Sequence, residues 1–511
     1  MREEIAPAGV ALLRERFEVD EDRDSELGEI IGRYDAIVIR SATKLTRDLI
    51  AKGTSLKVIG RAGVGVDNVD VEAATRQGIV VANAPESNVV SAAEHTVGLL
   101  VALARNIPQA HAALVDGRWE RSKWGGVELA EKTLGMLGFG RIGQQVARRA
   151  VGLQMRVVAY DPYVSAERFR ELGVESDTFD GVLERADFLT LHLPLNDETR
   201  GAIDASAIAR MKDGVRIVNA ARGELVDEAA LGEALRAGKV AGAALDVFPQ
   251  EPYSGPLLGA PNIVVTPHLA ASTDEAQDRA GVIVAEQVVA ALDGGLVTNA
   301  VNIPSVGAED LEALGPFVPL ASSLGRLAVE LDGGEPGRIT LEYHGELSDH
   351  DTRLLTLAAL NGAFRGRVDQ PVNYVNAPLV AAERGIEVVE ERRRSSRDFT
   401  NLVGVTAGDA RVAGTTIGRE NRQWLVSAFG FELEIELAPR MIFLRYDDVP
   451  GVIGRVGTQL GEAGVNIANM AVSRNREGGK ALMVLSIDTP ADADVIERLA
   501  KGADAVHLVT L

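Results

Sequence analysis

A glycine-rich turn between a predicted strand and a predicted helix constrains the fold more than any other segment. The turn Gly138-Phe-Gly140-Arg-Ile-Gly143 follows the apolar run 133–137 and opens a predicted helix over 142–151. Because the chain contains 53 glycines, the motif alone could be an ordinary surface turn. A second apolar run, however, ends at Asp161, about 20 residues further on, as in dinucleotide-binding βαβ units. The pattern therefore predicts a Rossmann-type domain.

The same segment indicates which dinucleotide would bind. Gly138, Gly140 and Gly143 let backbone N–H groups approach a pyrophosphate, and the N-terminus of the following helix favours its negative charge. A carboxylate at Asp161 accepts hydrogen bonds from a ribose but repels a 2′-phosphate. The predicted cofactor is therefore NAD rather than NADP.

The composition narrows the class of protein. The chain has 511 residues, 46% of them hydrophobic and 25% charged, as expected of a globular protein with about three domains. A net charge of −21 argues against a nucleic-acid partner. The absence of cysteine excludes disulfides, thiolate catalysis and cysteine-ligated zinc, and no metal site is predicted. No apolar run has the length of a signal peptide or membrane span, so a cytoplasmic protein without a membrane partner is expected.

The apolar pattern predicts an α/β chain with several units. Short Val/Ile/Leu runs alternate with helical stretches from about residue 35 to 301, which indicates parallel sheets covered on both faces. We predict a flavodoxin-like substrate-binding domain over 1–85 and 268–301 around a Rossmann domain over 86–267. Residues 302–438 are predicted to form an α+β module. Residues 440–511 follow the βαββαβ order of ferredoxin-like folds, with one strand expected at 465–468.

Three charged or titratable residues follow successive predicted strands. Arg222 follows 215–219, Glu251 follows 242–246, and His268 follows 262–266. Singly, they could be a helix-flanking cation, a surface acid and a structural histidine. Ligands of open α/β sheets bind at the carboxyl ends of the strands, where all three residues lie. A cation can hold a carboxylate, an imidazole can exchange a proton at neutral pH, and a nearby carboxylate can stabilise the imidazolium. The set predicts hydride-transfer chemistry.

These segments, with the run 60–68 and Ala92-Ala-Glu94, resemble the D-isomer-specific 2-hydroxyacid dehydrogenases. The resemblance covers nearly the whole chain for the branch that acts on 3-phospho-D-glycerate. It implies that His268 carries the proton with Glu251 as its partner, and that Arg222 binds the substrate carboxylate and carbonyl oxygen. By the same resemblance the cofactor contacts are Arg141, Ile142, Asp161, Ala221 and Asp246.

A basic cluster upstream indicates which hydroxy acid is bound. Arg40, Lys44 and Arg61 follow strands of the N-terminal domain, and they are either a solvated rim or a site for a carboxylate plus a phosphate. The resemblance places Arg40, Arg61 and Asn88 on the substrate, and it brings Arg121 and Lys123 to a neighbouring subunit's site. It implies NAD-dependent oxidation of 3-phospho-D-glycerate to 3-phosphohydroxypyruvate, the first step of L-serine biosynthesis. A dehydrogenase of another 2-hydroxy acid and a dinucleotide-sensing corepressor are the alternatives.

The C-terminal segment resembles an ACT regulatory domain, and the middle module resembles the intervening domain of some family members. The signature is Tyr446-Asp-Asp448-Val-Pro-Gly451, a helix, and then Gly464-Val-Asn466. The resemblance implies that L-serine binds between paired ACT domains at Tyr446, Asp448 and Asn466, in a homotetramer. A dimerisation module without ligand is the alternative. One departure is that the strand which usually opens the family's substrate domain is not seen before Ile5, so the placement of Arg40 is open.

Overall fold

Four β-sheets organise the part of the chain that the structure describes. This computed structural model describes residues 1–293, 297–304, 307–368, 372–395 and 399–511. The strands of the first two sheets are near-continuous apolar runs because helices cover both of their faces. Within the described residues, no helix combines the length and the apolar character needed to cross a membrane.

The N-terminal sheet has three parallel strands in the order β1-β2-β3. Its strands and helices are β1 Ala36–Ile39, β2 Val58–Arg61, β3 Val80–Ala82, α1 Pro7–Arg14, α2 Leu27–Ile30, α3 Arg47–Lys52 and α4 Val71–Arg76, with a 3₁₀ turn at Ile31–Arg33. The N–H of Arg2 donates to the carbonyl of Val38 at 3.0 Å, so the first residues of the chain lie beside β1. This contact brings them close to the end of β1, where Arg40 lies.

The nucleotide-binding sheet has seven parallel strands in the order β10-β9-β8-β7-β4-β5-β6. The strands are β4 Thr133–Leu137, β5 Arg156–Tyr160, β6 Glu175–Ser176, β7 Phe188–Leu191, β8 Val215–Asn219, β9 Val240–Leu245 and β10 Ile263–Val265. The helices are α5 Val89–Arg105, α6 Ile107–Val115, α7 Arg141–Gly152, α8 Ala166–Glu171, α9 Phe179–Arg185, α10 Ala205–Arg210 and α11 Glu228–Ala237, with 3₁₀ turns at Arg121–Trp124, Gly223–Leu225 and Pro256–Gly259. Helix α12, Asp274–Leu292, then returns the chain to α1 and β2.

The middle sheet has six strands in the order β12-β11-β13-β14-β15-β16, and only β11 and β12 pair in parallel. The strands are β11 Arg338–Gly345, β12 Glu387–Arg393, β13 Asn401–Ala407, β14 Ala410–Ile417, β15 Arg422–Ala428 and β16 Phe431–Glu436. The helices are α13 Ala308–Leu314, α14 Val318–Asp332, α15 Arg353–Phe364 and α16 Ala377–Glu383, with 3₁₀ turns at Gly315–Phe317 and Glu346–Asp349. Leu324 of α14 and Leu341 of β11 are fully buried between these layers.

The C-terminal sheet has four antiparallel strands in the order β18-β19-β17-β20, the ferredoxin-like topology. Its elements are β17 Arg440–Asp447, α17 Val452–Glu462, β18 Ile467–Arg474, β19 Lys480–Ile487, α18 Ala493–Ala500 and β20 Ala505–Thr510. One face packs on α17 and α18, whereas Phe443 and Val484 on the other face join the core of the middle sheet. The inner strands β17 and β19 are therefore buried on both faces.

The predicted fold class is confirmed, and one strand is displaced. The sequence predicts a strand at 465–468, but β18 begins at Ile467. The N–H of Val465 donates to the carbonyl of Leu460 at 2.9 Å, which closes the end of α17. The apolar Val465 thus belongs to the helix-ending turn, and the ladder starts two residues later.

Candidate active site

A cleft of about 1100 Å³ collects five of the residues that the sequence singles out. The residues on its wall are Arg40, Arg61, Asn88, Glu251 and His268. They come from the ends of β1 and β2, the start of α5 and the loops after β9 and β10. The cleft therefore joins the carboxyl edges of two parallel sheets, the position at which open α/β folds bind ligands.

His268 and Glu251 form a direct hydrogen bond inside this cleft. Nδ1 of His268 lies 2.8 Å from Oε2 of Glu251, and half of the imidazole side chain is exposed. A carboxylate next to Nδ1 selects the tautomer that carries a proton there, so Nε2 is left to exchange a proton with a substrate. The sequence predicted this pair, and the structure places its two members in contact.

The backbone of His268 is fixed by the buried side chain of Asp246. His268 has a left-handed φ of 55°, and its N–H donates to the carbonyl of Asp246 at 2.8 Å. The Asp246 carboxylate accepts the N–H groups of Leu269 and Ala270 at 2.7 and 2.9 Å, and it contacts His95 and Thr266. Burial alone would raise the pKa of Asp246, but these hydrogen bonds hold it below its usual value. Asp246 therefore supports the turn, and its predicted cofactor contact stays a prediction.

Arg222 lies beside the cleft and is held by two oxygen atoms. Its Nε is 3.1 Å from Oδ2 of Asp67, and its Nη1 donates to the carbonyl of Ala221 at 2.7 Å. A Cβ atom on Gly65 would lie 2.4 Å from Nη2 of Arg222, so the guanidinium packs directly on the glycine loop after β2. Asp67 was not among the predicted site residues, although it belongs to the glycine-rich run 60–68.

Arg61 and Asn88 carry polar atoms that are unpaired. The Nε atom of Arg61 and the Oδ1 atom of Asn88 are buried without a hydrogen-bond partner. Burial, and after it the positive charge of Arg222, lowers the pKa of Arg61. Two neighbouring guanidinium groups with a free buried donor form a site that an anion would stabilise. Lys44, predicted with them, is exposed and lies outside the cleft wall.

The glycine turn has the geometry that a pyrophosphate needs. Gly138 adopts a φ of 95°, and a Cβ there would lie 2.5 Å from the carbonyl oxygen of His192. A Cβ on Gly140 would meet no atom within 4 Å, so the space in front of α7 is open. Asp161 accepts the N–H of Phe139 at 2.8 Å, which ties the acid to the turn. These residues fit a dinucleotide along the turn.

The other predicted contacts lie around this turn or away from the cleft. Arg141 forms an ion pair with Glu86 at 3.1 Å, Ile142 packs against the core, and the N–H of Ala221 donates to Asn219. Arg121 and Lys123 are exposed and are not on the cleft wall. In the described part of the chain, no group of three or more acidic or histidine side chains could hold a metal ion.

The predicted serine ligands lie at two ends of the C-terminal sheet. Tyr446 is buried, which raises its pKa, and Asp448 pairs with Arg474 at 3.2 Å. The N–H of Asp448 meets the carbonyl of Gly479 at the start of β19, whereas Asn466 donates to Asp488 beyond its end. An eight-residue strand separates these points by about 25 Å. One chain does not bring Asp448 and Asn466 to the same small ligand.

Three segments of the chain match known families. Residues 97–270 match the NAD-binding domain of D-isomer specific 2-hydroxyacid dehydrogenases. Residues 313–426 match the D-3-phosphoglycerate dehydrogenase intervening domain, and residues 440–501 match the ACT domain. The resemblance drawn from the sequence is thereby confirmed, including NAD as the cofactor.

Similar proteins extend over nearly the whole chain. The D-3-phosphoglycerate dehydrogenase of Archaeoglobus fulgidus is 44% identical over 486 residues, covering 93% of this chain and 92% of that protein. The enzyme of the same name from Mycobacterium tuberculosis is 43% identical and covers 99% of this chain and 97% of its own length. The D-lactate dehydrogenase of Aquifex aeolicus, solved with NAD and lactic acid, is 29% identical with a TM-score of 0.53, over 58% of this chain and 96% of that one. The chain belongs to the D-3-phosphoglycerate dehydrogenase family of D-isomer-specific 2-hydroxyacid dehydrogenases.

Proposed function

We propose that this enzyme oxidises 3-phospho-D-glycerate to 3-phosphohydroxypyruvate with NAD, the first step of L-serine biosynthesis. The observation that carries the proposal is the cleft, where the His268–Glu251 pair faces a set of guanidinium groups. One carboxylate would need a single arginine, whereas Arg40, Arg61 and Arg222 together suit a substrate with a carboxylate and a phosphate.

The proposed reaction gives each side chain of the site a defined role. Arg222, oriented by Asp67, binds the substrate carboxylate and the oxygen on C2. Nε2 of His268 removes the hydroxyl proton while the C2 hydrogen leaves with its electron pair. Glu251 accepts the Nδ1 proton in a hydrogen bond and stabilises the imidazolium that forms. NAD, bound along the glycine turn, supplies the hydride acceptor.

A substrate panel tests this proposal directly. NADH formation at alkaline pH is measured with 3-phospho-D-glycerate, D-glycerate and D-lactate as substrates. We expect kcat/KM for the phosphorylated acid to exceed that for D-glycerate by about a hundredfold, because charged hydrogen bonds to the phosphate would be lost. Preference for an acid without phosphate would instead identify a dehydrogenase of another 2-hydroxy acid. Binding of NADH without turnover of any acid would indicate a cofactor-sensing protein.

We infer that the enzyme is a homo-oligomer in which α6 and the following loop contact a second copy. Leu114, Val115 and Trp119 expose 56%, 72% and 81% of their surface, respectively. Large apolar side chains clustered on a surface mark protein contacts. Sedimentation equilibrium of the wild type and of Val115→Asp tests this, and an unchanged mass in the variant would exclude this surface as the contact.

We propose that L-serine regulates the enzyme at a site shared by two C-terminal sheets. Asp448 and Asn466 of one chain lie too far apart for one ligand, whereas a twofold partner could bring the Asn466 end of one sheet to the Asp448 end of another. Strand β18 is the edge strand, and Met470 and Val472 are 40% and 43% exposed there. Strand β16 of the same chain lies next to β18, so it is the exposed Met470 and Val472 side chains that favour contact with a second copy.

A further inference from the structure

The loop Arg40–Thr43, which carries a proposed substrate ligand into the cleft, is held by a carboxylate from the start of the chain. Glu3 accepts three backbone N–H groups of this loop: Oε1 lies 2.9 Å from N of Arg40 and 2.9 Å from N of Thr43, and Oε2 lies 3.1 Å from N of Ala42. Burial opposes the ionisation of Glu3, yet these bonds keep its pKa below the ordinary value. Three of the four backbone N–H groups of the loop are therefore bound by one anion.

The carbonyl groups of the same loop are held from the opposite direction. The amide nitrogen of Asn68 donates to the carbonyl of Arg40 at 2.7 Å and to that of Thr43 at 2.6 Å. Asn68 follows Asp67, which pairs with Arg222, and it lies on the loop that begins at Arg61. The contacts of Glu3 and Asn68 thus connect the loop of Arg40 to the loop that orients the other two arginines.

Such contacts matter because the loop is otherwise solvated. Ser41 and Ala42 are exposed, and residues 40–44 lie between the end of β1 and the bridge at Leu45. A short exposed loop samples many conformations unless its backbone groups are satisfied, and ordering it during binding weakens the affinity. Charge-assisted bonds to one carboxylate are strong enough to order it beforehand.

We propose that Glu3 and Asn68 are positioning residues that preorganise Arg40 for the substrate anion. Neither side chain needs to touch the substrate. The inference rests on the proposed role of Arg40 in substrate binding, and it assigns to the first residues of the chain a part in substrate affinity. It also accounts for the placement of Arg40, which the sequence left open.

The test compares Glu3→Gln and Glu3→Ala with Glu18→Gln, an exposed control at a site outside the cleft. Gln keeps one acceptor oxygen for two of the three N–H groups, whereas Ala leaves all three without a carboxylate. We expect KM for 3-phospho-D-glycerate to rise about threefold in Glu3→Gln and about tenfold in Glu3→Ala, with kcat within about twofold and NADH affinity unchanged. Asn68→Ala should raise the same KM, and Glu18→Gln should change nothing.

Equal KM values in Glu3→Ala and the control would overturn the proposal, as would a parallel loss of kcat and NADH affinity. Hydrogen exchange of the amides of Arg40, Ala42 and Thr43 gives a second readout that needs no turnover. Exchange should be faster in Glu3→Ala than in the wild type, and unchanged protection would also overturn the proposal. If the wild type fails to oxidise phosphoglycerate, the proposed function fails, while the exchange experiment still judges the role of Glu3.

Discussion

His268 is the side chain on which the proposed reaction depends most. A positioned general base contributes typically about 10²- to 10⁴-fold to a rate. We expect His268→Ala to lower kcat by a factor in this range, because no other described imidazole lines the cleft. NADH binding, followed by fluorescence titration, should stay nearly intact, since the glycine turn is separate from the His268 turn. Near-normal turnover in the variant would contradict the assignment.

His192, at the end of β7, makes stability depend on pH. Its side chain is mostly buried beside Thr190, and this burial lowers its pKa to about 4. The pKa of histidine in the unfolded chain is about 6.5, so the unfolded state binds the proton more readily than the folded state does. The free energy of unfolding is therefore highest above that pH, and it decreases as the pH falls toward 4. The total loss is about 3 kcal/mol.

The measurement is urea unfolding between pH 7 and 4.5 for the wild type, His192→Gln and His111→Gln. His111 is exposed on α6 and serves as the control. The slope of unfolding free energy against pH should be smaller in His192→Gln than in the other two proteins. Three identical slopes would show that His192 is not kept neutral in the folded state.

In the turn between β4 and α7, we expect Gly138 to be required for stability and Gly140 for cofactor binding. Gly140→Ala should leave the melting temperature nearly unchanged, because its Cβ would meet no protein atom, but it should weaken NADH affinity about tenfold or more by blocking the pyrophosphate. Gly138→Ala should lower stability by about 2 kcal/mol, since it would combine a positive φ with a clash at His192. Calorimetry and NADH titration of both variants check this, and equal effects on stability would refute the distinction.

The strands that could be predicted are those whose residues are almost all apolar. In the nucleotide-binding sheet, β4 and β8 have the predicted ends, because burial on both faces leaves little choice of residue. In the middle sheet the apolar pattern predicts strands at 338–342 and 409–413, and these overlap β11 and β14. The edge strands β12 and β16 carry alternating or clustered charges, as in Phe431-Glu-Leu-Glu-Ile-Glu436. Charged residues are common on edge strands, and a search for apolar runs does not detect such strands.

The sequence could predict the site residues that directly follow a strand. It could not predict the residues that orient them from distant parts of the chain. Arg222, Glu251 and His268 each stand just after an apolar run, so their convergence follows from the parallel sheet. The partners that orient this chemistry give no such signal. Glu3 accepts hydrogen bonds from a loop some 40 residues later, and the Asp246 carboxylate accepts N–H groups of the turn that follows His268. These contacts exist only in the folded chain.

At the scale of the assembled molecule, the shared serine site can be tested by mixing two variants that each lack one half of the site. Asp448→Ala removes one half of the proposed site and Asn466→Ala the other, so neither homo-oligomer should bind L-serine. In a mixed dimer, the Asp448 of one chain meets the Asn466 of the other, and one of the two sites is restored. We expect titration calorimetry of a refolded equimolar mixture to recover part of the serine-binding heat of the wild type.

Asp448→Ala refolded alone, and Asn466→Ala refolded alone, are the matched controls for this mixture. A site contained within one chain would remain silent in the mixture, because every chain would still lack one of its ligands. If serine binding is recovered only in the mixture, the site must contain residues from two chains. Such a shared site is expected, because the two ends of β19 are about 25 Å apart and one small ligand cannot contact both ends within one chain. A wild type that takes up no serine at millimolar concentration would instead favour an ACT domain that only joins subunits.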